Sequence, residues 1–184
     1  MISEAGDTDR FTTLAGSTRR SASSRASGRF PSARAIVLTA LDLALLTLFW
    51  LVFLWPILVA RDHFIPYDLL DQHYMFQAFI HRTLAAGESP WWSPDILGGY
   101  PIVADPLTAL FYPPNVAMHL LTRSAFLPYY RMEVQLALHI LWAAFGGYAL
   151  ARSLTGSRMG GLVAALTFAF GGFFAWHLPH LSPL

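Results

Sequence analysis

Three stretches of this chain stay apolar for about the thickness of a bilayer, and the segments between them are broken by proline, glycine or charge. The first, residues 35–60, runs for 26 residues with one charge, Asp42. Roughly 20 apolar residues suffice to cross the hydrocarbon core as a helix. The second and third runs, 134–151 and 159–176, are joined by a short link that carries Arg152 and Arg158. The pattern predicts an all-α integral membrane protein with about three transmembrane helices.

The segment between the first two spans, 61–133, reads differently. Eight of the chain's twelve prolines fall in it, at 66, 90, 94, 101, 106, 113, 114 and 128, so most of it must turn rather than form regular structure. One part can be helical. Tyr67 to Ala86 holds no Pro or Gly and sets Leu69, Phe76, Ile80 and Leu84 within a narrow arc, with Asp68, Asp71 and Arg82 towards the other side. With Trp91 and Trp92 just beyond, this predicts an amphipathic helix on the membrane surface, apolar face down, ended by Gly87. Asn115 to Leu121 is a second, shorter amphipathic piece.

Residues 1–34 hold six arginines among Ser, Thr, Gly and Ala and no apolar run, which predicts a disordered tail. The run that follows is too long for a signal peptide and ends in aromatics and Pro56, so it is expected to be retained. Two spans separate the tail from the Arg152–Arg158 link, which puts both on one side. The positive-inside rule makes that side the cytoplasm and places 61–133 outside. Composition agrees with lipid, at 55% apolar, 15% aromatic and 12% charged. There is no cysteine to form a disulfide or a thiolate metal site. The net charge of +1 gives no reason to expect nucleic acid.

The residues that could carry chemistry are the outer acids Asp62, Asp68, Asp71, Glu88, Asp95 and Asp105. Asp68 and Asp71 stand three apart and share a helical face. One could take a proton from a hydroxyl while the other orients a partner or a divalent cation. Equally, Asp68 could cap the helix while Asp71 is merely solvated. His63, His73 and His81 include no four-residue pair that would set two imidazoles on one face, and no metal site is expected. His177 and His180 flank Pro179 at the far end of the third run. Asp42, inside the first span, needs a partner and is read as a contact to another span. Gly146–Gly147, Gly160–Gly161 and Gly171–Gly172 permit close helix approach. No phosphate-binding loop, nucleophile elbow or zinc-protease motif occurs.

An ordered set of motifs in the outer segment carries a resemblance: Asp68-Leu69-Leu70-Asp71-Gln72-His73-Tyr74, then Trp91-Trp92-Ser93-Pro94, Gly98-Gly99-Tyr100-Pro101, and Phe111-Tyr112-Pro113-Pro114-Asn115. Over about residues 35–184 the chain resembles the N-terminal part of YfhO-like bacterial membrane proteins, many-span relatives of the GT-C glycosyltransferases. Such proteins take a sugar from a polyprenyl-phosphate carrier on the outer face and use an acid of the first outer loop. The family's aspartate, and its glutamine four residues later, match Asp68 and Gln72. The resemblance implies Asp68 and Asp71 as catalytic residues, with Gln72, Arg82, Trp91 and Asn115 binding substrate, no cofactor beyond an optional divalent cation, and membrane lipids and a polyprenyl-phosphate sugar as partners. The family continues through many more spans, so the resemblance implies a fragment of a larger GT-C-like bundle. Other functions fit the pattern too. A transporter or flippase would use Asp42 and the histidines along a path, and a scaffold would use the loop for docking alone.

Overall fold

A computed structural model describes residues 32–173; the expected tail up to residue 31, and His177 and His180, lie outside the described residues. The chain divides into two compact units between Ile36 and Val37. Of the first, only Ser32–Ile36 is described, where the Ser32 hydroxyl accepts from the Ala35 N–H at 3.2 Å. Apart from the first turn of α1, everything below concerns the second.

Among the described residues the fold is helical, and its one β feature is a single bridge between Ser93 and Tyr100. Helix α1 spans Ala33–Phe53 and is followed by a π turn, Pro56–Ala60. A second π turn, Leu69–His73, leads into α2, Tyr74–Ala85. Two short 3₁₀ turns and α3, Pro113–Leu121, come before α4, Tyr130–Thr155, and α5, Arg158–Phe170. α1 and α4 are long and apolar enough to cross a membrane, and only 11% and 22% of their apolar windows are buried by the rest of the chain. Neither is a core helix wrapped in protein. Their outward residues, Leu41, Leu45, Leu48 and Val52 on α1 and Leu138, Trp142, Leu150 and Leu154 on α4, are exposed and apolar. The third expected span is shorter than its sequence pattern suggests. α5 has 13 residues, about 20 Å of helix at 1.5 Å per residue, less than the hydrocarbon thickness.

α1, α4 and α5 pack on one another through two apolar clusters. Leu46, Tyr148 and Ala165 form one; Leu54, Ala137, Ile140, Ala144 and Ala169 form the other. α4 and α5 are antiparallel and close. A Cβ on Gly161 would stand 2.9 Å from Cδ2 of Tyr148 and 3.2 Å from its carbonyl oxygen, and one on Gly147 would touch Cα of Ala165 at 3.6 Å. Two of the six paired glycines therefore face the seam. Gly156, at φ +68°, ends α4 with its N–H on the Arg152 carbonyl, and the Ser157 hydroxyl caps α5 by accepting from Gly160 N–H at 3.1 Å.

Asp42 has the helix partner its position demands. It is 4% exposed and receives Arg158 in a two-point contact, Nη2 to Oδ1 at 2.7 Å and Nε to Oδ2 at 2.9 Å. The Tyr148 hydroxyl donates to Oδ2 at 2.6 Å. Arg152 in turn donates to that hydroxyl and to Thr39 Oγ1, each at 2.6 Å. One carboxylate thus joins three helices.

At the other end of these helices, aromatic hydroxyls and one carboxylate serve backbone groups that the proline-rich loop leaves without ladder partners. Tyr130 donates to Leu58 O at 2.7 Å, Tyr129 to Ile65 O and Tyr74 to Leu127 O at 2.8 Å. Glu133 Oε1 accepts from Ile65 N–H at 2.8 Å. Ile65, Leu69, Met118, Leu127 and Met132 fill the space between.

Breaking the Asp42 contact has a measurable consequence. Asp42→Asn should lower the stability of the detergent-solubilised protein by roughly 2–4 kcal/mol, a buried-pair loss discounted because the Arg158 side chain is 38% exposed. The double variant Asp42→Asn/Arg158→Gln should cost less than the sum of the singles in an unfolding titration. Additive costs would show that the two residues are not coupled.

Candidate functional site

The segment carrying the predicted acids begins with strain. Tyr67 sits at φ +63°, a left-handed conformation that a bulky side chain rarely takes, and the π turn Leu69–His73 opens directly after Asp68. Its inner side is formed by Leu69 and His73, both buried. Asp68, Asp71 and Gln72 are exposed together on its outer side. Asp68 occupies the cap position but makes no side-chain cap hydrogen bond, so the capping alternative is not what the geometry displays. The structure therefore brings together both proposed catalytic acids and Gln72.

Behind this surface runs a buried polar stripe. His73, Gln77 and His81 follow one another at four-residue intervals and all face inward. Gln77 donates through Nε2 to Thr108 O at 2.6 Å and accepts at Oε1 from His119 Nε2 at 2.9 Å. His81 Nε2 donates to Ser124 O at 2.7 Å, and its ring stacks on that of His119 with centroids 5.5 Å apart. Nδ1 of His73, His81 and His119 has no hydrogen-bond partner. Burial pushes His73 below its ordinary pKa, against the backbone of Leu107 and the negative charges of Asp68 and Asp105. Asp68 is thus in electrostatic reach of a buried imidazole. On the other side, burial raises the Tyr129 hydroxyl, helped by the charges of Glu133 and Asp71. Among the described residues no group of three or more His, Asp or Glu is arranged to hold a metal ion.

α2 also departs from the expected surface helix. Its apolar arc is covered by the chain itself: Phe76 and Ile80 pack on Ile102, flanked by Phe79, Ile96, Tyr100 and Leu110. Only Leu84 of the arc is left exposed. Gly87, at φ +74°, does end the helix, with its own N–H on Leu84 O and that of Glu88 on Thr83 O, each at 3.0 Å.

The remaining predicted residues have separate placements. Arg82 is exposed and donates to Asp95 Oδ2 at 3.2 Å. Trp91 is exposed, while its carbonyl accepts from Val103 N–H at 3.2 Å. Trp92 lies against Gly99, where a Cβ would meet its ring at 2.5 Å, so the Trp–Trp and Gly–Gly motifs close one turn together. Asn115 stands apart from the exposed acids. It is 1% exposed, with Nδ2 donating to Ala109 O at 3.0 Å and Oδ1 accepting from Gln135 at 2.5 Å. That amide links α3 to α4 through Gln135.

No family model, curated protein or solved structure matches the chain. The resemblance of the loop motifs therefore stands on the residues themselves. The 73–77–81 stripe does not show in the histidine spacing alone, because Gln77 stands between two histidines eight residues apart.

The stripe makes the loop sensitive to acid. Burial, then the charge of His81, pushes His119 down to about 4, whereas an unfolded histidine titrates near 6.5. Between those values the unfolded chain binds a proton that the folded loop refuses. Stability is therefore complete above about pH 6.5 and is lost as pH falls towards about 4. Thermal unfolding followed by tryptophan fluorescence should show that fall, and His119→Gln should reduce its slope. A melting temperature independent of pH across this window would contradict the assignment.

Proposed function

We propose that this chain forms the first membrane section of a GT-C-like glycosyltransferase in the bacterial cell membrane, with the N-terminus and the Arg152–Arg158 link cytoplasmic and 61–133 outside. In this reading the third apolar run, 159–176, also crosses the membrane. The observation that carries the functional part is the joint exposure of Asp68, Asp71 and Gln72 on one turn whose inner side is anchored by Leu69 and His73. A carboxylate held at such a surface can meet a hydroxyl arriving from outside.

The reaction is a glycosyl transfer from a polyprenyl-phosphate sugar. The bond from the anomeric carbon to the phosphate oxygen breaks, and a bond from that carbon to the acceptor oxygen forms. Asp68 takes the acceptor's proton, and the polyprenyl phosphate leaves with the bonding electrons. Asp71 assists by orienting the acceptor or a divalent cation, and Gln72 hydrogen-bonds polar groups of the substrate. Geometry favours this over a transporter built around Asp42, since that carboxylate is already held by Arg158 and Tyr148.

Asp68→Asn in the intact protein should abolish transfer while leaving expression and folding unchanged, with a loss of at least about 100-fold, the low end for a general base. Envelope glycan from cells carrying only this variant provides the readout. Glycan at the wild-type level would remove Asp68 from the mechanism.

A further inference from the structure

α2 has a second accessible side, away from its buried stripe, and it borders an open cleft of about 660 Å³. Tyr74, Met75, Phe79, Ile96, Phe126 and Leu127 give it apolar walls. Ser93 is also among its lining residues, fully buried, with a hydroxyl that has no hydrogen-bond partner. Arg82 and Asp95 line it as well. The same two residues, with Phe79, also border a smaller hollow of about 320 Å³ that includes Glu88 and Trp92. The Arg82–Asp95 pair is the ridge between the two.

We infer that this cleft binds an amphiphile with a neutral, hydroxyl-bearing head, of the glycolipid type, its apolar part lying along Phe79, Met75 and Phe126 and a vicinal diol bridging Arg82 and Asp95. Three observations select this ligand. A volume of this size takes one small-molecule ligand rather than a protein segment. Arg82 and Asp95 share a single contact of 3.2 Å on exposed side chains, so the guanidinium keeps free donors and the carboxylate a free acceptor side by side, the arrangement that suits adjacent hydroxyls. The charged groups lining the two hollows are one guanidinium and two carboxylates, Asp95 and Glu88, which disfavours a phosphate head. Calling the ligand the sugar acceptor rests on the glycosyl-transfer reading; its binding does not.

The test uses the full chain in phospholipid nanodiscs with ¹³C-methyl methionine, because Met75 lines the cleft while Met118 and Met132 are buried elsewhere and report the fold. Hexyl β-D-glucoside should shift the Met75 methyl saturably and bind about tenfold more tightly than hexan-1-ol or hexyl phosphate, the gain of one or two satisfied hydrogen bonds. Arg82→Gln and Asp95→Asn should each weaken the glucoside about threefold to tenfold and leave hexan-1-ol unchanged. Equal binding of glucoside and hexan-1-ol, tighter binding of hexyl phosphate, or no saturable shift would overturn the inference, and none of these comparisons needs a variant to fold. Glucoside binding by a protein that transfers no sugar would uphold the cleft and count against the glycosyl-transfer reading. Transfer without any Met75 response would do the reverse.

Discussion

A carboxylate buried among apolar helices is tolerable only when its charge is met, and Asp42 is met from two directions at once. Arg158 grips both of its oxygens from the start of α5, and Tyr148 donates from the last turns of α4. This fixes the register of α1 against the other two helices, because the guanidinium can reach both oxygens only at one axial position. The glycine contacts depend on the same register. Gly161 comes up against Tyr148 itself, so the side chain that supports Asp42 is also the surface on which α5 packs. With that end held, the opposite ends of α1 and α4 present Leu58, Ile65 and Glu133 where the loop's tyrosines and backbone can reach them.

The loop solves a different problem with similar means. Its prolines and turns leave backbone carbonyls and N–H groups without regular partners, and burying them bare would be costly. Side chains supply the partners. Gln77 serves Thr108, His81 serves Ser124, Asn115 serves Ala109, and two tyrosines serve Ile65 and Leu127. α2 is consequently held by its polar stripe as much as by Phe76 and Ile80. The turn at its start, with Asp68, Asp71 and Gln72 outward, is anchored from below by Leu69 and His73.

Much of this architecture was legible from local sequence. The apolar runs located α1 and α4, and Gly87 marked the end of α2 because only a left-handed residue continues the chain there. Asp42 announced its need for a partner by its burial in an apolar run. Features that depend on distant residues were not legible. Nothing local marks Gln77 or His81 as inward-facing, because their partners Thr108, His119 and Ser124 lie 31, 42 and 43 residues along the chain. Arg82 found Asp95 across the Gly87 turn, 13 residues on. Asn115 belonged to a motif that suggested substrate, yet its amide is engaged with Ala109 and Gln135. Leu84 matched the apolar period of α2 and is nonetheless exposed, because the loop residues that cover Phe76 and Ile80 do not extend to it.

With α1 and α4 as spans, the loop and the Arg152–Arg158 link lie on opposite sides of a membrane in the topology proposed above. The chain contains no cysteine, so single cysteines introduced at Ser17, Ser89 and Thr155 report sidedness without a background. In intact cells a membrane-impermeant maleimide should label the Ser89 variant at once, and the Ser17 and Thr155 variants only after permeabilisation. Labelling of Thr155 from outside, or equal labelling of all three in intact cells, would contradict it.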